Sequence, residues 1–240
     1  MVRDKRPVGE SAVIAPAGRC GRSRSLTALW IGLATFTALP SRAHAGALTV
    51  HMLDVGYGAC LVLQGGDSRQ PWTGMVDFGT AEALPAIQSE LRRLGIRRID
   101  VAFLTHAHPD HAGSLRVWQH PAIQTLYWNG DAAGQAGIEQ TLERLRQRGV
   151  DVRTARKDLR LSGPGGVEVH VLNPATIDGS IHENEVVLLV TLGKTAVLIS
   201  GDLDPGVQKV LMRNVQEQAR AEGRKLCFAT WPHHGDRLDP

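Results

Sequence analysis

Cysteine is scarce in this chain of 240 residues, three in all. Cys20 lies in the N-terminal segment, ahead of an apolar run. That leaves Cys60 and Cys227 either to pair or to sit as buried free thiols in the apolar runs that hold them. Long hydrophobic runs are missing too. The apolar stretch Leu26–Leu39 has 14 residues, short of the roughly 20 needed to span a bilayer. No G-x-S-x-G stretch occurs, so a serine hydrolase of the nucleophile-elbow type is not indicated. There is no internal repeat and no low-complexity segment.

What stands in the first 45 residues is an address. Arg19, Arg22 and Arg24 precede the apolar run, and Ala43-His44-Ala45 follows it. This is the charged, apolar, small-residue order of a secretory signal peptide. Residues 1–45 read as that signal and 46–240 as one domain, secreted or periplasmic, with no stable membrane span after cleavage. Seven of the 27 Lys and Arg, and two of the 24 Asp and Glu, lie in residues 1–45. The rest carries a formal net charge of −2, so the pI near 9.0 is partly the leader's. A broad basic footprint for nucleic acid is absent. Two local clusters, Arg92/Arg93/Arg97/Arg98 and Arg144/Arg146/Arg148, read as solvated helix faces.

At 42% hydrophobic content the domain can build one sizeable core. Strand-like runs occur at 48–53, 59–63, 73–77, 99–104, 123–128, 167–172, 185–192, 195–200 and 226–230. Gly193-Lys194 makes a hairpin turn. Helical spacing appears over 82–94, around Ile138/Leu142/Leu145, and from Asp204-Pro205 onward, with proline at the first helical position. Periodicity alone gives an α/β or α+β class.

The chemistry concentrates in Thr105-His106-Ala107-His108-Pro109-Asp110-His111, directly after strand 99–104. Imidazole and carboxylate groups are ligands that zinc prefers. His106 and His108 are two apart and share a side in extended backbone. Pro109 biases His108 away from helix, and Gly113 lets the backbone turn closely around the cluster. Four ligand groups in one short loop suit two adjacent metals.

H-x-H-x-D-H resembles the hallmark of the metallo-β-lactamase superfamily. Leu53-Asp54-Val55-Gly56 and Pro232-His233-His234-Gly235 are similar to motifs of its ComEC-like subgroup, the competence-protein hydrolase domains. Val76-Asp77-Phe78-Gly79 resembles the superfamily's I-D-x-G, and Ser200-Gly201-Asp202 its later G-D. The resemblance implies a four-layer αββα sandwich and two divalent ions. Zinc is the default, and manganese or iron suits the same donors. It implies His106 and His108 on one ion, Asp110 and His111 on the other, Asp202 between them, and His234 as a further ligand. Asp110 or His233 would handle the proton. Asp54 and Asp77 would orient imidazoles or shape the turn below the site. His182 stands where a further ligand can lie, whereas Asn184 fits the subgroup's asparagine-rich segment, which often lacks that histidine.

The chain departs from the subgroup at Tyr57 and Ala59, where glutamine and aspartate are usual, and at Val186, where serine is expected. It also stops six residues after His234, while related domains continue. An incomplete second sheet with an unpaired edge is therefore expected. The implied function is a secreted hydrolase using metal-activated water on a phosphodiester, in nucleic acid, in a cell-envelope polymer or in a small molecule. ComEC-like hydrolase domains are associated with DNA processing during uptake. A lactam, lactone or thioester hydrolase and a truncated, inactive metal-binding protein are the alternatives. The residues do not fix an oligomeric state.

Overall fold

The strands of the first sheet alternate inward and outward residues with both faces buried, which requires a layer on each side. In β5 (Arg98–Leu104), Ala102 and Leu104 face one way, while Val101 and Phe103 face the other. The computed structural model describes residues 10–14, 47–66 and 70–230. It shows two sheets packed face to face with helices outside, an α/β αββα sandwich.

The first sheet runs β1-β2-β3-β4-β5-β6-β7. Its strands are β1 (Glu10–Ile14), β2 (Leu48–Met52), β3 (Leu61–Gly66), β4 (Pro71–Val76), β5, β6 (Ala122–Trp128) and β7 (Asp151–Thr154). From β1 to β4 the pairing is antiparallel, and from β4 to β7 it is parallel. Helices α1 (Leu84–Arg93) and α3 (Ile138–Gln147) cover its outer face, burying Ile87, Leu91, Ile138, Leu142 and Leu145. Parallel strands need such crossover helices.

The second sheet runs β12-β11-β10-β9-β8, comprising β8 (Arg160–Ser162), β9 (Val167–Asn173), β10 (Val187–Leu192), β11 (Thr195–Ile199) and β12 (Lys225–Ala229). Its outer face carries Val187, Leu189 and Leu198 against Val215 of α4 (Pro205–Ala221), which Asp204 caps by accepting from the Gly206 N–H at 2.8 Å. Leu188, Val190, Val197 and Ile199 face the other way, into a core shared with Val76, Val101 and Phe103 of the first sheet.

Several expectations need adjusting. Residues 10–14, inside the segment read as a leader, form β1 and pair with β2 at the sheet edge. The Ala43-His44-Ala45 site lies outside the described residues. β7 and β8 have four and three residues, mostly exposed, and lack an apolar pattern that periodicity can detect. β10 begins at Val187 rather than Glu185, because the Val186 N–H pairs across the sandwich with the Thr105 carbonyl at 3.0 Å. Cys60 and Cys227 are unpaired thiols. Cys60 is buried as expected, and burial, with the Asp77 charge adding, pushes its thiol far up. Cys227 is instead exposed, in strand β12, whose pairing with β11 is its only one among the described residues. No helix among the described residues is long and apolar enough to cross a membrane.

Candidate metal centre

The site assembles where β4, β5, β10 and β11 approach one another. Strand β5 delivers Thr105 and His106 directly. His108 is still extended (φ −61°, ψ 149°) and caps the single turn α2 (Pro109–Ala112), which carries Asp110 and His111. Proline at the first position of that turn has no N–H to leave unsatisfied. Gly113 acts differently from the expected hinge. Its φ of −59° is ordinary helix, but a Cβ there would lie 2.4 Å from the Ala81 nitrogen. Glycine is needed for close packing of the metal loop on the 80–81 backbone.

Asp77 follows β4 in the left-handed region (φ 59°) and is 1% exposed. Its Oδ1 accepts the Thr105 N–H at 2.8 Å. Its Oδ2 accepts the Thr105 hydroxyl and His111 Nδ1, each at 2.8 Å. With the proton thus held on Nδ1, His111 Nε2 faces Asp202 Oδ2 at 3.3 Å and Asp110 Oδ2 at 3.8 Å. Asp54, by contrast, is exposed and accepts from the Gly56 N–H at 3.1 Å, shaping its own turn.

A residue that sequence reasoning missed completes the other side. Glu185 is fully buried, and its Oε1 lies 3.0 Å from His182 Nδ1 and 3.3 Å from His106 Nδ1. Gly201 (φ 55°) makes room for it, since a Cβ there would stand 2.4 Å from Glu185 Oε2. His106 Nε2 then meets His108 Nδ1 at 3.0 Å. Asn184 is structural. Its side chain donates to Asp131 Oδ2 at 2.9 Å and to the Gly179 carbonyl at 3.0 Å, anchoring the loop that presents His182.

Two groups of potential ligand atoms result, each within 4.8 Å of one another: His106/His108/His182 and His106/His111/Asp202. The geometry thus brings His182 to the cluster. Asp110 stands beside His111 and lines the cleft. His233 and His234 lie outside the described residues. The buried groups perturb one another strongly. Burial drives the His106 imidazole far down, and its histidine neighbours add to this. His111 is also opposed by burial, but Asp77 and Asp202 hold it well above its usual range. Burial, then the charge of Asp202, pushes Glu185 well above the usual carboxylate range. Imidazole nitrogens gathered 3.0 Å apart beside buried carboxylates fit divalent cations of the zinc, manganese or iron type.

The cluster opens into a cleft of about 690 Å³ lined by Tyr57, Glu82, His108, Asp110, Arg116, His182 and Asp202 among others. Asp110, His108 and His182 are partly exposed to it, while His106 and His111 are fully buried.

Comparison with known proteins agrees with this architecture. The family model described as the metallo-beta-lactamase superfamily matches residues 53–224. ComE operon protein 3 of Bacillus subtilis is 25% identical over an alignment of 209 residues that covers 78% of this chain. The chain spans a quarter of the length of that relative (25%). Among solved structures, zinc-bound PqqB from Methylobacterium extorquens aligns with a TM-score of 0.45 at 12% identity, over 63% of this chain and 56% of that one. A mutant metallo-beta-lactamase from Cronobacter sakazakii aligns with a TM-score of 0.42 at 20% identity, over 75% and 76%.

Proposed function

The chain belongs to the metallo-β-lactamase superfamily, and from that premise we propose that it is an exported, metal-dependent hydrolase of phosphodiester bonds. The observation that carries the reading is the convergence of His106, His108, His111, His182 and Asp202 in two ligand groups that share His106, with His108, His182 and Asp202 lining the cleft. Two ions, zinc by default, would be held by the His106/His108/His182 and His106/His111/Asp202 groups, with His234 a further ligand. Bound there, such ions supply Lewis acidity that acidifies water and draws charge from a phosphoryl oxygen.

The chain's own groups do the rest. Asp77 keeps the His111 proton on Nδ1, so that Nε2 is the donor atom. Glu185 does the same for His106 across the sandwich and for His182 on its own side. Asp110, at the cleft surface, takes the proton released as water attacks, and His233 is the second candidate for that role. The phosphodiester assignment is supported by the Leu53-Asp54-Val55-Gly56 and Pro232-His233-His234-Gly235 motifs and by the arginine in the cleft wall. Export is supported by the charged, apolar, small-residue order of residues 19–45.

The test is elemental analysis of the purified full chain, with hydrolysis of bis(p-nitrophenyl) phosphate and of a chromogenic cephalosporin run in parallel. We expect about two ions per chain and phosphodiester turnover, both reduced in His108→Ala and Asp202→Ala. Cephalosporin cleavage without phosphodiester cleavage would move the assignment to carbonyl substrates.

A further inference from the structure

A second, smaller cleft of about 300 Å³ adjoins the catalytic one, between residues 115–119 and α3. Arg116 lines both. Its other polar lining groups include Gln119, Thr141, Arg144 and Arg148, and no carboxylate among the described residues lines it. Arg144, in the last turn of α3, and Arg148, which caps its C-terminus, are four apart and so lie on one side of the helix end.

The hydrogen bonds of these arginines go to neutral oxygens. Arg144 Nη2 donates to Thr141 Oγ1 at 2.9 Å and to the Arg116 carbonyl at 3.4 Å. Arg148 donates to the carbonyls of Trp118 and Gln119, the latter at 2.8 Å. Such bonds fix a guanidinium in place without neutralising its charge. The contrast on the same helix is Arg146, which pairs with Glu143 at 3.4 Å. Arg116 Nε is buried with no hydrogen-bond acceptor among the described residues. Two fixed positive charges, with Arg116 beside them where the clefts meet, therefore lead outward from the metal cleft, on a domain whose formal net charge is −2 over residues 46–240.

We propose that the Arg116/Arg144/Arg148 cleft is a phosphate subsite that holds the backbone of a single-stranded nucleic acid whose scissile bond lies at the metal cluster. The inference rests on the phosphodiester reading above and names its substrate class. Guanidinium forks match phosphate oxygens geometrically. Tyr57, 63% exposed and lining the catalytic cleft, adds an aromatic face on which a base stacks. A polyol phosphate chain has no group that uses such a face. Recognition by a local track also explains how a domain without a broad basic surface binds a polyanion.

The experiment measures binding of a fluorescein-labelled ten-nucleotide thymidine strand to the full chain by anisotropy, in EDTA so that nothing is cleaved, across a salt series. Arg144→Gln/Arg148→Gln should weaken binding at least tenfold. The slope of log affinity against log salt should fall by about 1.4, two contacts at about 0.7 each. Arg148→Lys, which keeps the charge, should stay within about threefold of wild type by the same electrostatic logic, and circular dichroism melts establish that each variant is folded. Equal affinity of the double variant and wild type would overturn the proposal. So would an equal loss in an Arg92→Gln/Arg213→Gln control, or equally tight binding of a poly(glycerol phosphate) of matched length. Hydrolysis of bis(p-nitrophenyl) phosphate by wild type, read separately, reports on the phosphodiesterase assignment, so failure of one is distinguishable from failure of the other.

Discussion

Asp77 Oδ2 and His111 Nδ1 lie 2.8 Å apart, both buried, and the Thr105 hydroxyl donates to the same oxygen. That contact decides which imidazole nitrogen faces the cleft. Asp77→Asn tests it cleanly, because asparagine tolerates the left-handed backbone at φ 59°. An amide nitrogen turned to His111 would favour the wrong tautomer. Metal affinity should fall about 10- to 100-fold, read by chelator competition, with the circular dichroism spectrum unchanged.

Glu185 gives a different outcome with and without ions. Burial, then the charge of Asp202, raises its carboxyl well above the usual range and so favours the protonated acid when no cation stands beside it. Glutamine closely resembles that protonated acid. Glu185→Gln should therefore melt near wild type in EDTA while binding zinc at least about tenfold more weakly. A large loss of ion-free stability would show that the carboxyl's role is packing instead.

Gly201 and Gly193 have nearly the same backbone, φ 55° and 56°, in different surroundings. A Cβ at Gly193 meets nothing within 4 Å, whereas one at Gly201 collides with Glu185 Oε2 at 2.4 Å. Gly193→Ala should cost only the left-handed backbone term, about 1–2 kcal/mol. Gly201→Ala should cost more in urea denaturation and should also lower zinc affinity, since the displaced group is the one that orients His106 and His182.

His170, on the outer face of β9, sets an acid limit on stability. Burial chiefly, and then the positive charge of Arg160, depresses its imidazole below the usual 6.5, against the pull of Asp158. The unfolded chain therefore binds a proton more readily than the folded one. This contribution is fully present above about pH 6.5 and is lost as pH falls through the lower folded value. Urea midpoints at pH 7.5 and 5.5 should converge in His170→Gln relative to wild type.

The sequence made the metal loop legible because its ligands are contiguous and their spacing is local. Asp77 and Asp202 were findable for the same reason, each closing an apolar run within a short motif. Glu185 was not. In sequence it is one more polar residue opening an apolar stretch, and only the approach of Gly201 and Thr105 from other strands buries it. Arg116 was hidden likewise: its proximity to Arg144 and Arg148 comes from α3 packing over residues 114–119, 28 and 32 positions away in number. The hairpin at Gly193-Lys194 was legible because the two-residue turn itself fixes the Leu192↔Thr195 pairing. β7 and β8 were lost because short, exposed strands are held by their neighbours rather than by their own side chains.

His106, His108 and His111 come from the first sheet, and His182, Glu185 and Asp202 from segments flanking strands of the second. The distance between the two halves of the centre is therefore set by the side chains packed between the sheets, Phe103, Val76 and Val101 against Leu188, Val190 and Ile199. Sheets stacked face to face stand about 10 Å apart, and that gap acts as a gauge block for the centre. Phe103 is packed between the sheets and is not among the residues lining the cleft, yet a smaller side chain there is expected to let the two jaws close and a larger one to wedge them open.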